Sequence, residues 1–557
     1  MSAFRILVAT SMAALLAGTA LAAPPSPEPQ AANIRAHITF LASDLLEGRE
    51  AGSPGYDIAA NYVASQFTQL GLKPAGVGGS YFQPVPMVGW RAVDAGSFDI
   101  VDKAGKVTPL VSAEDFLIGR NPMAAETKAS AGLVFVGFGI VAPEHRRNDY
   151  AGLDVKGKIV VVMSGAPKFL QTEERAYYTN NRTKRAAAEA RGAIGMITMS
   201  SRAEEASRPF ANGARFAKSW SMSWKDDQGH PFTVAPTVPG LASLSAKGAQ
   251  KIFEGAPVGL DAIMTAVATD EGKLPRFALP YSARIETRTE FKSIDSRNVV
   301  GMVEGSDPKL KDEVIVLSAH LDHIGISAPV KGDTINNGAL DNASGIATTL
   351  EVARALIQGP TPPKRSVLVL ANTGEEKGLV GAEYFARNPT VERRRIVADV
   401  NLDMPVLTYD FIDVTAFGAD RSSIGPAIRR AAGRMGIGLS PDPMPQEGLF
   451  TRSDHYRFVE VGVPAVFLMT GFGGEGAKAF QHFMATDYHK PSDDLNLPIN
   501  FEAGAKFARL NYEITMELAD MPDTPAWNPG DFFGTRYGPK PPPSLAGKIK
   551  AALKPRS

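Results

Sequence analysis

Apolar and polar positions along the chain fall into three regimes. Ile34, Ile38, Leu41 and Leu45 recur at helical spacing, which predicts an amphipathic helix over residues 34–46. A Gly/Pro loop follows at 48–55, then a second amphipathic helix over 58–70 that Gly71 is suited to end. Short strand-like runs continue to about residue 125. Residues 126–275 change character. Compact apolar runs at 133–136, 158–162 and 194–199 predict strands, and 184–191 predicts a helix stopped by Gly192. That stretch reads as a separate α/β insert. From about residue 295, apolar runs at 314–318, 367–371, 396–402 and 465–469 alternate with helical stretches such as 344–357 and 379–386. Buried strands alternating with helices predict an α/β fold, with a mixed, largely parallel sheet covered by helices on both faces.

The two ends differ from the middle. Arg5 precedes a mostly apolar stretch at 6–16, and Ala20-Leu21-Ala22 fits a small-x-small cleavage site. This predicts a signal peptide over residues 1–22 and an exported protein, periplasmic in a Gram-negative cell or otherwise secreted. No later stretch reaches the roughly 18 apolar residues of a membrane helix, so no stable membrane insertion is expected after cleavage. Residues 525–557 are polar and Pro-rich and read as a tail. The expected order is then signal peptide, N-terminal part of the main domain (30–125), insert (126–275), the rest of the main domain (276–524) and tail (525–557).

Composition narrows the chemistry. The chain has 59 Lys+Arg against 59 Asp+Glu, which provides no long-range field for nucleic acid. It has no Cys, which excludes disulfides, thiolate metal sites and a Cys nucleophile. A metal must therefore be held by His, Asp and Glu, and five of the eight His fall between His320 and His489. Apolar runs end at His320, Asp322 and His323, at Glu375 and Glu376, and at Asp403, while Asp341 precedes a helix. In open α/β sheets, sites form outside the carboxyl ends of the strands. Two His and three carboxylates there suit two divalent ions sharing one carboxylate. Nitrogen and oxygen donors without sulfur favour zinc over manganese or cobalt.

The blocks Ser318-Ala319-His320-Leu321-Asp322-His323, Gly338-Ala339-Leu340-Asp341-Asn342-Ala343-Ser344-Gly345, Thr373-Gly374-Glu375-Glu376, Asn401-Leu402-Asp403 and Tyr488-His489 resemble, in order, the signatures of the two-zinc aminopeptidase family. That family includes bacterial leucyl aminopeptidases, aminopeptidase Y and glutamate carboxypeptidase II. Asp44-Leu45-Leu46-Glu47-Gly48-Arg49 is similar to its N-terminal segment. Gly137-Phe138-Gly139, Asn148-Asp149-Tyr150 and Asp154-Val155-Lys156-Gly157-Lys158 resemble the protease-associated domain, a smaller β-rich unit inserted in several such peptidases.

The resemblance implies a peptide substrate and two zinc ions per chain. Asp341 would bridge the ions, His320 and Asp403 would complete one site, and Glu376 and His489 the other. Glu375 would be the general base, Asp322 would hydrogen-bond His320 and fix its tautomer, and Tyr488 would donate to the oxyanion or simply pack. Arg452 and Asp454 lie where the family's loops line the substrate end of the cleft, and are either substrate contacts or an exposed charged turn. His323 and His482 fall outside the family's ligand positions. The expected activity is that of an aminopeptidase. A carboxypeptidase of the glutamate carboxypeptidase type and a non-catalytic binding protein on the same fold are the alternatives. Side-chain preference and oligomeric state stay open.

Overall fold

The computed structural model describes residues 28–215, 219–269 and 273–539. The expected signal peptide and the last part of the expected tail lie outside them.

The main sheet contains β1 (Phe82–Ala92), β2 (Phe277–Val303), β3 (Val314–His320), β4 (Ser366–Asn372), β5 (Ile396–Leu402), β6 (Asp413–Phe417) and β7 (Ala465–Thr470). Its order is β1–β2–β4–β3–β5–β7–β6. The four central strands β4, β3, β5 and β7 are parallel, whereas β1, β2 and β6 pair antiparallel outside them. Every residue of β3, β4, β5 and β7 is buried, which is why these strands read as apolar runs without alternation.

Helices α1 (Ala31–Leu41), α2 (Pro54–Leu70), α3 (Ser344–Gln358), α4 (Val380–Arg387) and α5 (Phe501–Asp520) cover the sheet. Ser53 caps α2 by accepting from Tyr56 N–H, Pro54 opens its first turn, and Gly71 ends it at φ 83°. The first expected helix is shorter than its pattern. It stops at Leu41, the chain turns through a 3-10 segment at Asp44–Arg49, and Leu45 is 85% exposed instead of continuing the buried face. Among the described residues no helix is long and apolar enough to cross a membrane.

A second layer grows out of the first along one strand. Residues 289–299 of β2 pair with β1, while residues 282–288 pair with Ser97–Val101 and Glu126–Phe135. The parallel strands Glu126–Phe135, Ile159–Met163, Gly195–Met199 and Gly240–Leu244 continue this layer. It has its own core, including Phe98, Ile100, Phe116, Phe135, Val161 and Ile197. The layer therefore recruits strands from Ser97 onward, ahead of the start expected at 126, because Phe98, Ile100 and Phe116 pack into that core.

The expected tail is folded over its first part. Asp531 accepts from Phe533 and Gly534 N–H and starts the helix Phe532–Tyr537. Phe533 is fully buried, and Trp527 Nε1–H donates to Gly462 O at 2.9 Å. The aromatic residues of this segment anchor it to the body despite its Pro and Gly content.

Candidate metal and catalytic site

The candidate donors come from four consecutive structural positions. His320 is the last residue of β3, Asp403 directly follows β5, and Glu375 and Glu376 lie in the turn after β4. Asp341 lies in the turn that leads into α3. Because β4, β3 and β5 are adjacent and parallel, their carboxyl ends meet on one edge of the sheet. His489 reaches them from the loop after the helix Gly476–Thr486.

The five donors form two groups that share one carboxylate. His320 Nε2 lies 3.2 Å from Asp341 Oδ1 and 3.1 Å from Asp403 Oδ1. His489 Nε2 lies 3.4 Å from Asp341 Oδ2 and 3.2 Å from Glu376 Oε2. Each oxygen of Asp341 thus faces a different imidazole. His320 is buried, while the His489 side chain is about one-third exposed on the cleft side.

Buried polar groups hold these loops. Asp493 accepts from the N–H groups of Leu340 at 2.8 Å and Asp341 at 3.0 Å. Ser453 Oγ donates to Asp403 Oδ2 at 2.6 Å, leaving Oδ1 toward His320. Arg49 donates to the carbonyls of Leu321, Leu41, Asn337 and Gly338, tying the N-terminal segment to the loops of His320 and Asp341.

Two expected roles change. Asp322 does hydrogen-bond His320, but through its backbone: His320 Nδ1 meets the Asp322 carbonyl at 3.1 Å, and Oδ1 is 4.0 Å away. The carboxylate instead accepts from Glu375 N–H at 3.0 Å and Glu376 N–H at 3.4 Å, because the turn after β4 points both donors at it. Asp454 is fully buried and accepts from Asn372 Nδ2–H at 2.9 Å. It is not among the residues that line the cleft, so it is corrected as a substrate contact. Arg452 remains about one-third exposed, with Glu447 Oε2 3.8 Å away. Tyr488 is half-buried and stacks on His489 with ring centroids 3.8 Å apart.

Sequence reasoning set aside His323, which is fully buried with Nδ1 2.7 Å from Glu376 Oε1. It also missed Arg49, Ser453 and Asp493 as supports. The signal for Arg49 was its place at the end of the Asp44-to-Arg49 block, and for His323 its position three residues after His320. His482 is exposed on its helix.

Electrostatics separate the two adjacent glutamates. Burial raises the Glu375 carboxyl well above the usual range, and Asp403, Glu376 and Asp454 add to it against the pull of His320. Burial would raise Glu376 too, but His489 and His323 outweigh it and hold that carboxylate well below the usual range. Burial opposes charge on His489, yet Glu376 and Asp341 raise it to about 10. Burial also pushes the Tyr488 hydroxyl well up, so it stays a donor near neutral pH.

The residues present fit a divalent metal centre. Imidazole and carboxylate atoms converge, and among the described residues Glu376 Oε1 and both His323 nitrogens are buried without an aligned hydrogen-bond partner. Nitrogen and oxygen donors of this kind suit zinc. A cleft of about 660 Å³ opens over Glu376 and His489. Lys377, Ile324 and Ile326 line one part of it, and Arg120 and Trp220 line another, Trp220 directly before the strand Ser221–Trp224 that pairs antiparallel with β1 at the sheet's edge.

Residues 298–515 match Peptidase family M28, and residues 123–234 match the PA domain. Leupeptin-inactivating enzyme 1 of Streptomyces exfoliatus is 27% identical over 241 residues, 40% of this chain and 48% of that protein. Aminopeptidase YwaD of Bacillus subtilis (strain 168) is 26% identical over 185 residues, 32% of this chain and 37% of that protein. The chain thus spans less than half the length of these two relatives. The solved aminopeptidase from Aneurinibacillus sp. strain AM-1 shares the fold, with a TM-score of 0.50 at 21% identity over 87% of this chain and 93% of that one.

Proposed function

We infer that this chain, which carries a peptidase family M28 domain and an inserted PA domain, is a zinc-dependent exopeptidase. It is an aminopeptidase that hydrolyses the N-terminal bond of peptides with two zinc ions. The observation that carries this reading is the pair of imidazole–carboxylate groups sharing Asp341, beside a carboxyl, Glu375, that belongs to neither. His320, Asp341 and Asp403 would hold one ion, and Asp341, Glu376 and His489 the other.

Zinc, when bound, polarises the peptide carbonyl and lowers the pKa of water from about 15.7 toward about 7. The chain's own residues do the rest. Glu375 takes the proton of the attacking water and delivers it to the leaving amine, and its raised pKa suits a group that must carry a proton near neutral pH. Asp322 fixes the turn that aims Glu375, through the backbone N–H groups it accepts from. Tyr488 O–H donates to the oxygen that gains charge. A free α-amine is a cation, and the carboxylates around Glu375 attract it. Arg452, whose charge acts on the Tyr488 hydroxyl, would contact the substrate farther from the scissile bond.

The reading is tested with free, N-acetylated and C-amidated dipeptides. N-acetylation is expected to abolish cleavage, and C-amidation to change it little. The reverse pattern would make the chain a carboxypeptidase, with Arg452 as the group to test first. Metal analysis is expected to give two zinc ions per chain, with activity lost on chelation. The apolar stretch at 6–16 supports export to the periplasm or the medium, checked by sequencing the mature N-terminus, expected at Ala23.

A further inference from the structure

We propose that His323 is an additional ligand of the second ion, so that this site has two imidazoles while the first has one. The inference rests on the two-ion reading above and goes beyond its five ligands.

His323 sits in the turn just past β3, three residues after His320, and is fully buried. Its N–H donates to Arg49 O at 3.2 Å, which fixes the backbone. Gly338 leaves room for the ring, because a Cβ there would come within 2.7 Å of His323 Cγ and Cδ2. The ring is therefore built into the loop that carries Asp341.

Its contacts point to a shared ion. Nδ1 lies 2.7 Å from Glu376 Oε1, while His489 Nε2 lies 3.2 Å from Glu376 Oε2 and 3.4 Å from Asp341 Oδ2. A donor atom of His323 lies within 4.8 Å of donor atoms of both Asp341 and Glu376. The two rings face the same carboxylates with centroids 6.0 Å apart, nearly perpendicular at 73°. Zinc binds imidazole nitrogen at about 2.0–2.1 Å and carboxylate oxygen at about 2.0–2.2 Å, so donors on one ion lie roughly 3 Å apart. These separations straddle that spacing.

The contact is close enough for a hydrogen bond, but its alignment is poor. Despite the 2.7 Å separation, neither His323 Nδ1 nor Glu376 Oε1 has an aligned partner among the described residues, and neither has His323 Nε2. Two atoms that both point at a third body between them would look like this. The second site would then present two imidazoles and two carboxylates, against one imidazole and two carboxylates at the first. It should bind zinc more tightly and fill first.

The test begins with metal-free full-length protein titrated with zinc against a chromophoric chelator. Wild type is expected to bind two ions with separate affinities. X-ray absorption at one zinc equivalent is expected to count two imidazoles. His323→Ser should weaken the tighter site by more than about 100-fold, since loss of a group that only supports a ligand costs 10–100-fold. Its one-zinc spectrum should count one imidazole. His323→Gln keeps an N–H for Glu376 but no imidazole, so it should not restore affinity. It also serves as the readout if the serine variant fails to fold. Two bound ions with a single imidazole in wild type, an unchanged count in His323→Ser, or rescue by His323→Gln would overturn the ligand assignment alone. Fewer than two bound zinc ions in wild type would overturn the two-ion reading, and this inference with it.

Discussion

Glu375 and Glu376 are neighbours in one turn, yet their surroundings drive their charges apart. Glu376 faces two imidazoles, whereas burial and the carboxylates Asp403, Glu376 and Asp454 act on Glu375. Glu375→Gln should therefore lower kcat by at least about 100-fold, within the usual worth of general acid–base catalysis. Its zinc content should stay at the wild-type level. Glu376→Gln should lose zinc along with activity, so metal analysis beside kcat distinguishes the two. Asp322→Asn tests the turn from below. An amide can still accept from the two N–H groups, but it brings its own donor to a fully buried position, so kcat should fall with little change in zinc content. At this scale the residue types were legible, because His320, Asp403, Glu375 and Glu376 stand just where apolar runs end. What each oxygen touches was not. Whether Asp322 meets a ring or two backbone N–H groups depends on the turn after β4, and the burial of Asp454 depends on Asn372 across the sheet, 82 residues away.

At the scale of elements, the apolar runs at 314–318, 367–371 and 396–402 marked the core strands well, since strands buried on both faces carry little else. The segment Asp44–Arg49 was harder to read. Its value lies in Arg49, a buried guanidinium shared among four backbone carbonyls, and no periodicity reveals such a contact. Arg49→Lys keeps the charge, but a single ammonium with three donors cannot span the same carbonyls. With hydrogen bonds to charged groups worth about 1.5–3 kcal/mol, unfolding in urea should show a loss of at least about 1.5 kcal/mol. The insert contains a comparable buried cation. Lys184, on the helix Asn181–Glu189, donates to Met163 O at 2.8 Å and Gly165 O at 2.7 Å and is fully buried. Burial pushes it down from 10.5 to about 7, with Glu204 and Asp149 resisting. Between those values the unfolded chain binds a proton that the folded chain does not, so this group makes stability rise with pH across the window and fall again toward pH 7. Unfolding of wild type at pH 7 and pH 9 should differ by on the order of 2 kcal/mol from this group. Lys184→Met should remove that part of the difference.

The whole molecule is two layers that share β2 and are clamped at their far side. The insert's Arg182 pairs with Glu383 of α4, Nη2 to Oε1 at 2.5 Å, and the main domain's Arg421 pairs with the insert's Glu173 at 2.7 Å. The C-terminal segment closes the same seam. Phe532 stacks edge-on against Tyr177 of the insert at 5.4 Å, and Phe533 packs on Phe450 of the main domain at 5.0 Å. Arg536 reaches the hydroxyls of Tyr177 and Tyr178 at 3.3 and 3.2 Å. Composition pointed to a loose tail because Pro, Gly and polar residues dominate there. The four aromatics Trp527, Phe532, Phe533 and Tyr537 were the contrary signal. This clamp has a consequence for the cleft, because Arg120 and Trp220, from the segments on either side of the insert's strands, line one side of it while Glu376 and His489 line the other. Loosening the seam should widen that opening without disturbing the metal ligands. Phe533→Ala removes a fully buried ring, worth about 3–5 kcal/mol, so the melting temperature should fall. Hydrogen exchange should rise first in the insert's helix Thr172–Thr179, which carries Tyr177 and Tyr178, and not in β3 or β5. Below the melting temperature the variant should keep its zinc and nearly its wild-type kcat, while KM for peptides long enough to reach the insert should increase. Equal protection loss in both layers, or loss of zinc at the same temperature, would show instead that the C-terminal segment supports the main sheet's core itself and that the insert docks without it.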